Sequence, residues 1–254
     1  VSGGLEGKVA LVTGGSGGIG GAVCRELAGR GARVWVHYGK AEEAARRTAD
    51  ELAGGGHGTV GADLRDPEAV RAAVDRVAAE GGRLDVLVNN AGIFELHPPL
   101  EVDYETWQEH WQRTLGVNLV GAANACWCAA RRMIEGGGGR IVNVSSRGAF
   151  RGEPQSPAYG ASKAGLNALG QSLAAALAPH GVYVFAVAPG FVETAMARPY
   201  LTSEMGEAIR RQSPLGRVAT AADVAYWVGC LADERASFAT GAVVDVNGAS
   251  YLRT

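Results

Sequence analysis

The sequence predicts a doubly wound α/β fold, a parallel sheet of seven strands with helices on both faces. Seven short runs rich in β-branched residues recur along 254 residues, and between them lie longer Ala-rich, charged stretches with helical periodicity. The runs are apolar on both alternating faces, as strands are when helices cover a parallel sheet on both sides. The first run also passes into a glycine-dense turn, TGGSGGIG, before the first helical stretch.

In chain order the strands are KVALVT (8–13), RVWVHY (33–38), GTVGAD (58–63), LDVLVNN (84–90), RIVNVSS (140–146), VYVFAVA (182–188) and AVVDVNG (242–248). Helical patterns fall near 18–30, 41–53, 67–80, 104–134, 157–179 and 220–232. Gly136 to Gly139 reads as a helix-to-strand turn. No linker divides the chain, so residues 1–254 are expected to form one domain. The longest stretch without strands, about 190–219, follows a strand's carboxyl end. Ligands lie there in such folds, so an insertion at that place is a candidate substrate lid.

The composition is 47% hydrophobic and 20% charged with a net charge of −2, which gives no electrostatic reason to expect nucleic acid or a charged membrane as partner. No apolar run approaches the roughly 18 residues that span a bilayer, and the start lacks the basic and apolar regions of a signal peptide, so a cytoplasmic location is expected. Cys24, Cys126, Cys128 and Cys230 form no C-x-x-C pair and read as small hydrophobes in a reducing compartment. The five histidines form no i,i+4 or H-x-H set, so no metal is expected.

Glycines at a strand-to-helix turn let the backbone approach a pyrophosphate, while the helix N-terminus offers N–H donors and positive dipole. Two phasings fit: Gly15, Gly17 and Gly20, or Gly14, Gly18 and Gly20 within the T-G-x-x-x-G-x-G spacing, with Ser16 and Ile19 in the loop. In dinucleotide folds an acid near the end of the second strand holds the 2′-hydroxyl of NAD. Tyr38 stands there instead, with His37 and Lys40 beside it. Lys40 would attract a 2′-phosphate, which favours NADP(H), with NAD(H) as the alternative. Asp63 and Leu64 close the third strand, and Asp63 is expected to meet the adenine amino group or to cap the following helix.

TGGSGGIG (13–20), NNAG (89–92) and YGASK (159–163), in this order, make the chain resemble the short-chain dehydrogenase/reductase family over nearly its whole length. VNLVG (117–121), GRIVNVSS (139–146), APGFVET (188–194) and VNGASY (246–251) extend the match. The resemblance implies the Gly14, Gly18, Gly20 phasing, a single Rossmann-type domain, and a homotetramer or homodimer, with the tail SYLRT at a subunit boundary. Within the family the chain is most similar to the 3-oxoacyl-acyl-carrier-protein reductases. It departs from them at Ala175, where relatives carry an arginine implicated in docking the carrier protein, and at Phe185, where asparagine is usual. It also has Ser16-Gly17 where NADPH-preferring relatives often place an arginine.

The implied chemistry reduces a ketone: hydride from a nicotinamide, a proton from the protein. A tyrosine of ordinary pKa, about 10, exchanges protons poorly near neutrality. Lys163, one helical turn from Tyr159, is expected to stabilise the phenolate, and a shift of about 3 units would take roughly 4 kcal/mol. The chain is sparing with lysine and has only Lys8, Lys40 and Lys163, so an ammonium here fits the need to meet ribose hydroxyls and phenolate together. The family's spacing assigns Ser146, rather than Ser145, to the substrate oxygen. Asn118 is implied to hold a water that connects Lys163 to solvent. Asn90, Ala91 and Gly92 would flank the ribose. Pro189, Gly190, Val192 and Thr194 would surround the nicotinamide end.

The resulting expectation is an NADP(H)-dependent reductase of a 3-oxoacyl thioester or similar β-keto compound. The alternatives are an NAD-dependent dehydrogenase of a secondary alcohol, steroid or sugar, and a nucleotide-binding sensor without turnover.

Overall fold

The computed structural model describes residues 4–253. Seven parallel strands form one sheet: β1 (Val9–Val12), β2 (Arg33–Tyr38), β3 (Gly58–Gly61), β4 (Val86–Asn89), β5 (Gly139–Val144), β6 (Val182–Pro189) and β7 (Val243–Val246). Their spatial order is β3-β2-β1-β4-β5-β6-β7. The chain therefore runs outward from β1 to β3, crosses back, and continues outward from β4. β1 and β4 are neighbours at this switch, with Ala10 opposite Val86 and Val12 opposite Val88, and their carboxyl ends open the crevice where ligands bind in such folds.

The helices are α1 (Gly18–Gly29), α2 (Glu42–Asp50), α3 (Pro67–Gly81), α4 (Tyr104–Leu115), α5 (Ala122–Glu135), the single turn α6 (Gly148–Arg151), α7 (Pro157–Leu177), α8 (Arg198–Leu201), α9 (Gly206–Arg211) and α10 (Ala221–Ala232). Local chemistry sets their starts. Asp66 accepts from the N–H groups of Glu68 and Ala69 ahead of Pro67, and Gly82 ends the same helix at φ 75°. Thr220 and Asp223 form a reciprocal capping box on α10.

The sheet is buried on both faces, and its two faces feed separate cores. Val12, Val34, Val36, Val142 and Phe185 pack with α1 and α10, while Leu11, Trp35, Leu87, Ile141 and Val184 pack with α3, α5 and α7. Phe185, at the position where relatives carry asparagine, is a core residue 1% exposed.

The expected helix over 104–134 is not continuous. A π-helical turn, Gly116–Gly121, separates α4 from α5. Such turns widen the helix and free main-chain groups. The 190–219 stretch, expected to be without strands, holds α8 and α9 around Leu201, Ile209 and Val218. Among the described residues no helix is long and apolar enough to cross a membrane. Thr254 of the tail lies outside the described residues.

Candidate active site

A cleft of about 940 Å³ runs along the carboxyl ends of the strands, from the glycine loop to Tyr159 and Lys163. Its first wall settles the phase of the loop. Gly14 and Gly18 have φ of 63° and 56°, in the left-handed region. Gly20 is buried rather than cleft-lining, and a Cβ there would lie 2.2 Å from the Gly14 carbonyl oxygen. At Gly17 a Cβ would meet nothing within 4 Å. The left-handed glycines are those of the wide spacing, while Gly15 is kept small by packing, a Cβ there lying 2.9 Å from Val36 Cγ1.

The loop is held from three sides. Asn90 Nδ2 donates to the carbonyls of Thr13 and Gly14 at 2.9 and 3.0 Å. Thr13 Oγ1 accepts from the N–H groups of Asn90 and Ala91. His37 Nδ1 accepts from Gly14 N–H at 3.1 Å, which leaves Nε2–H to donate to the Ala62 carbonyl. Burial pushes the His37 pKa down, so the imidazole stays neutral in this bridge.

Ser16, Ile19, Asp63, Leu64, Asn90, Ala91, Gly92, Pro189, Gly190, Val192 and Thr194 line the cleft as expected. Thr194 faces the loop, its methyl being the nearest group to a Cβ placed on Gly18. The Asp63 carboxylate is clasped by Arg65, with Nη2 at 2.6 Å from Oδ2, and this hydrogen bond holds its pKa at about 2.

Tyr38 is a correction. It is half-buried against the α1-side core, its hydroxyl beside Glu42 and its ring against Gly61, and it does not line the cleft. Side chains alternate along β2, so His37 meets the cleft and Tyr38 does not, and beyond the strand Gly39, Lys40 and Ala41 line it. Lys40 therefore lines the cleft without Tyr38.

At the far end, α7 carries Tyr159 and Lys163 on one face. Ser146 reaches the Tyr159 hydroxyl, and its Oγ also accepts from Gly148 N–H at 3.0 Å. Ser145 is turned away toward the Lys163 carbonyl, as alternation requires. Lys163 Nζ donates to the Val144 carbonyl at 2.9 Å and lies 5.7 Å from the centre of the Tyr159 ring. Burial pushes its pKa from 10.5 down to about 8.

The expected lowering of the Tyr159 pKa is not produced by the chain's own groups. Burial pushes the phenol up, the Ser146 hydrogen bond opposes this, and the Glu153 carboxylate adds to the rise. Lys163 has one of its three N–H donors on the Val144 carbonyl and is not among the groups that set the pKa of the neutral phenol, so its help is kept for the phenolate that forms in the reaction.

Asn118 lies in the π turn behind Gly92, outside the cleft lining. Its side chain accepts from Ile93 N–H at 2.8 Å and donates to the Ile93 carbonyl and to Ser162 Oγ. Both N–H donors of the amide are committed to bracing the loop after β4 against α7, and only the second lone pair of Oδ1 is left for a water. Gly92 keeps this junction tight: a Cβ there would lie 3.3 Å from Asn118 Oδ1 and 3.4 Å from Lys163 Nζ.

The profile of the family described as Enoyl-(Acyl carrier protein) reductase matches residues 14–249. The cis-4-hydroxycyclohexanecarboxylate dehydrogenase of Sinomonas cyclohexanicum is 41% identical, with 95% of each chain covered. The 3-oxoacyl-acyl-carrier-protein reductase FabG of Escherichia coli (strain K12) is 36% identical over 98% of this chain and 99% of its own. A crystal structure of a short-chain dehydrogenase from Burkholderia cenocepacia J2315 in complex with NADP superimposes with a TM-score of 0.87 at 36% identity, covering 97% of this chain and 99% of that one. The chain belongs to the short-chain dehydrogenase/reductase family.

Members of this family are NAD(P)-using oxidoreductases that act on CH–OH groups. Four features of the site escaped the sequence reading. Arg147, directly after Ser146, is buried and lines the cleft together with Glu153. Phe94 meets Tyr159 edge-on at 5.0 Å and Tyr200 of α8 at 6.2 Å, closing the mouth with aromatic rings. His97, fully buried, accepts the Ala158 N–H at the start of α7 and so braces the helix that carries Tyr159. Ser156 Oγ adds a second tie, donating to the Glu95 carbonyl. A charge next to the family serine was the one signal available for Arg147; the others depend on tertiary packing.

Proposed function

We propose that this chain interconverts a ketone and a secondary alcohol, with NADP(H) as hydride carrier and Tyr159 as the group that gives or takes the oxygen's proton. One observation carries the reading: Tyr159, Ser146 and Lys163 converge at the end of a cleft whose other end is the glycine loop. The fit of a dinucleotide rests on that loop, where backbone approaches the cleft at Gly14 and Gly18 and the N-terminus of α1 faces it. When bound, the nicotinamide supplies the hydride and, oxidised, a positive charge near the phenol.

The protein's own part is placement and proton handling. Ser146 hydrogen-bonds the substrate oxygen and stabilises the charge that develops on it. Tyr159 donates its proton there. Lys163 stabilises the resulting phenolate and orients the ribose. With both Asn118 N–H donors committed, a water that feeds the relay is held through acceptors, Asn118 Oδ1 and the main-chain carbonyls of the π turn. Gly14, Ser16, Gly18, Ile19, Asn90, Ala91, Gly92 and Thr194 enclose the pyrophosphate and ribose, and Asp63 and Leu64 the adenine. Lys40 meets the 2′-phosphate, and the 190–219 segment closes over the substrate.

Two substrate classes remain in play. The resemblance to FabG supports a 3-oxoacyl thioester. The buried charges Arg147 and Glu153 in the cleft favour a small polar substrate over an apolar acyl chain, and a 41%-identical relative is named for a hydroxy carboxylate. The test is oxidation of NADPH and of NADH with acetoacetyl thioester and with a panel of free ketones. Tyr159→Phe should lower kcat by about 10²- to 10⁴-fold with nucleotide binding retained. NADH preference would overturn the role of Lys40. Tight nucleotide binding with no turnover on any ketone would return the sensor reading.

A further inference from the structure

We propose that Arg147 is a carboxylate anchor, and that the substrate is therefore a small keto or hydroxy acid. This inference deepens the preceding reading and rests on it for the location of the reacting carbon.

Arg147 occupies an unusual position for a charged side chain. It is 3% exposed, yet it lines the cleft beside Ser146. Its one side-chain hydrogen bond runs from Nη1 to Ser250 Oγ at 2.6 Å, and its guanidinium lies 5.6 Å from the centre of the Phe191 ring. Among the described residues no carboxylate forms an ion pair with it. A guanidinium carries five N–H donors in a planar fork, so most of its capacity is uncommitted. Burial pulls its pKa down only to about 10, which leaves it charged at neutral pH.

The nearest charged groups do not balance it. Glu153 also lines the cleft, with its carboxylate against Gly148, and pairs with Arg151 Nε at 3.7 Å. One carboxylate thus serves two guanidiniums. Burial pushes the Glu153 pKa up, which weakens even that compensation. A buried cation is costly unless paired and hydrogen-bonded. Arg147 stands between the cleft and a second cavity of about 440 Å³ whose wall includes its partner Ser250, and an anion reaching it from the cleft would complete both needs, a carboxylate matching the fork bidentately. Arg147 and Ser146 both line the cleft, so an anion held there would share the site with the carbonyl that Ser146 receives. Acids of that shape, rather than thioesters, are the substrates so favoured.

The experiment compares kcat/KM for acetoacetate, levulinate and 5-oxohexanoate with that for their isosteric neutral amides. The three spacings find the distance between anchor and carbonyl. Wild-type protein should prefer at least one acid over its amide by about 10- to 100-fold, mostly through KM. Arg147→Met keeps the apolar stem and should erase this ratio by raising KM for the acid more than for the amide. Arg147→Lys keeps the charge without the fork and should restore part of it. Equal turnover of acids and amides by wild type would overturn the inference. So would an Arg147→Met variant that slows both alike, since Arg147 would then only brace Ser250. If no ketone is reduced, the preceding reading fails by itself. Calorimetric titration of the NADP-treated protein with each acid and amide then decides about Arg147: tighter binding of the acid sustains it, and equal or absent heats sink it.

Discussion

Two walls of the same cleft are built in opposite ways. The floor is α7, a helix of 21 residues that buries Ser162 and Lys163 and is tied at its start by His97 and Ser156. The roof, residues 190–219, consists of two short helices around three buried apolar side chains, Leu201, Ile209 and Val218, with Phe191, Ala197 and Tyr200 partly buried against them. Tyr159 and Lys163 are on the floor, with Ser146 beside it just after β5; Met196, Ala197 and Tyr200, which line the cleft, are on the roof. Chemistry needs groups held to fractions of an ångström, whereas substrate entry and release need a segment of low local stability. The division explains how one floor can serve relatives named for different substrates.

The strictness of the floor is open to a direct attack at Lys163, and the largest effect is expected there. Lys163→Met should lower kcat by about 10²-fold or more, since the phenolate loses its cation. Its stability signature runs the other way. The folded pKa of about 8 lies below the ordinary value of 10.5, so the folded state resists protonation. The resulting penalty, roughly 3 kcal/mol, is full below pH 8 and is relieved as pH rises toward 10.5. Wild-type stability should therefore climb relative to Lys163→Met between about pH 8 and pH 10. Tyr159 works in the opposite direction at higher pH, because its raised pKa makes the folded state lose stability once unfolded tyrosine ionises. Comparing both proteins in a Tyr159→Phe background by denaturant titration isolates the lysine. A gap that does not change with pH would show that Lys163 is not penalised by burial.

Next in size is the glycine loop, which belongs to the same rigid half. Gly20→Ala would drive its Cβ against the Gly14 carbonyl at 2.2 Å, and that oxygen is backbone held by Asn90. A loss of about 1–3 kcal/mol is expected, with nucleotide affinity falling as α1 is displaced. Gly17→Ala meets nothing within 4 Å and should leave Tm unchanged. Equal Tm values for the two variants would refute the phase read from the backbone.

The same division governs what was legible in the sequence. Strand runs, the start of α3 near Pro67 and the glycine loop are local signals, and each lies where the pattern put it, although α3 is capped by Asp66 and not by Asp63. The Tyr159–Lys163 pair was legible because helical spacing alone puts the two on one face. Asn118 was found but its setting was not, since a π turn shows in the sequence only as an ordinary helical stretch. Tyr38 was misplaced because a strand's end cannot be read to the residue, and one step along a strand turns a side chain to the other face. Arg147 was missed because one more arginine in an arginine-rich chain gives no sign of its burial, which comes from Phe191 and Ser250, 44 and 103 residues away in the chain. The helices α8 and α9, of four and six residues, are too short to show a period.

The roof should yield the smallest change in global stability and the clearest change in substrate handling. Leu201 is 8% exposed and packs with Ile209 and Val218 in a cluster separate from the two main cores. Truncating a core leucine costs about 2–5 kcal/mol, but a satellite cluster can open without unfolding the sheet. In Leu201→Ala the loss should be drawn from that local opening. Tm should fall by no more than a few degrees, while protease cleavage within 190–219 accelerates and KM rises with kcat nearly constant. A large drop in Tm without a change in KM would mean that the roof is welded to the core and that the two walls do not differ as argued. A fall in kcat at constant KM would place the roof among the groups that position the reacting atoms, and would move part of the chemistry off the floor.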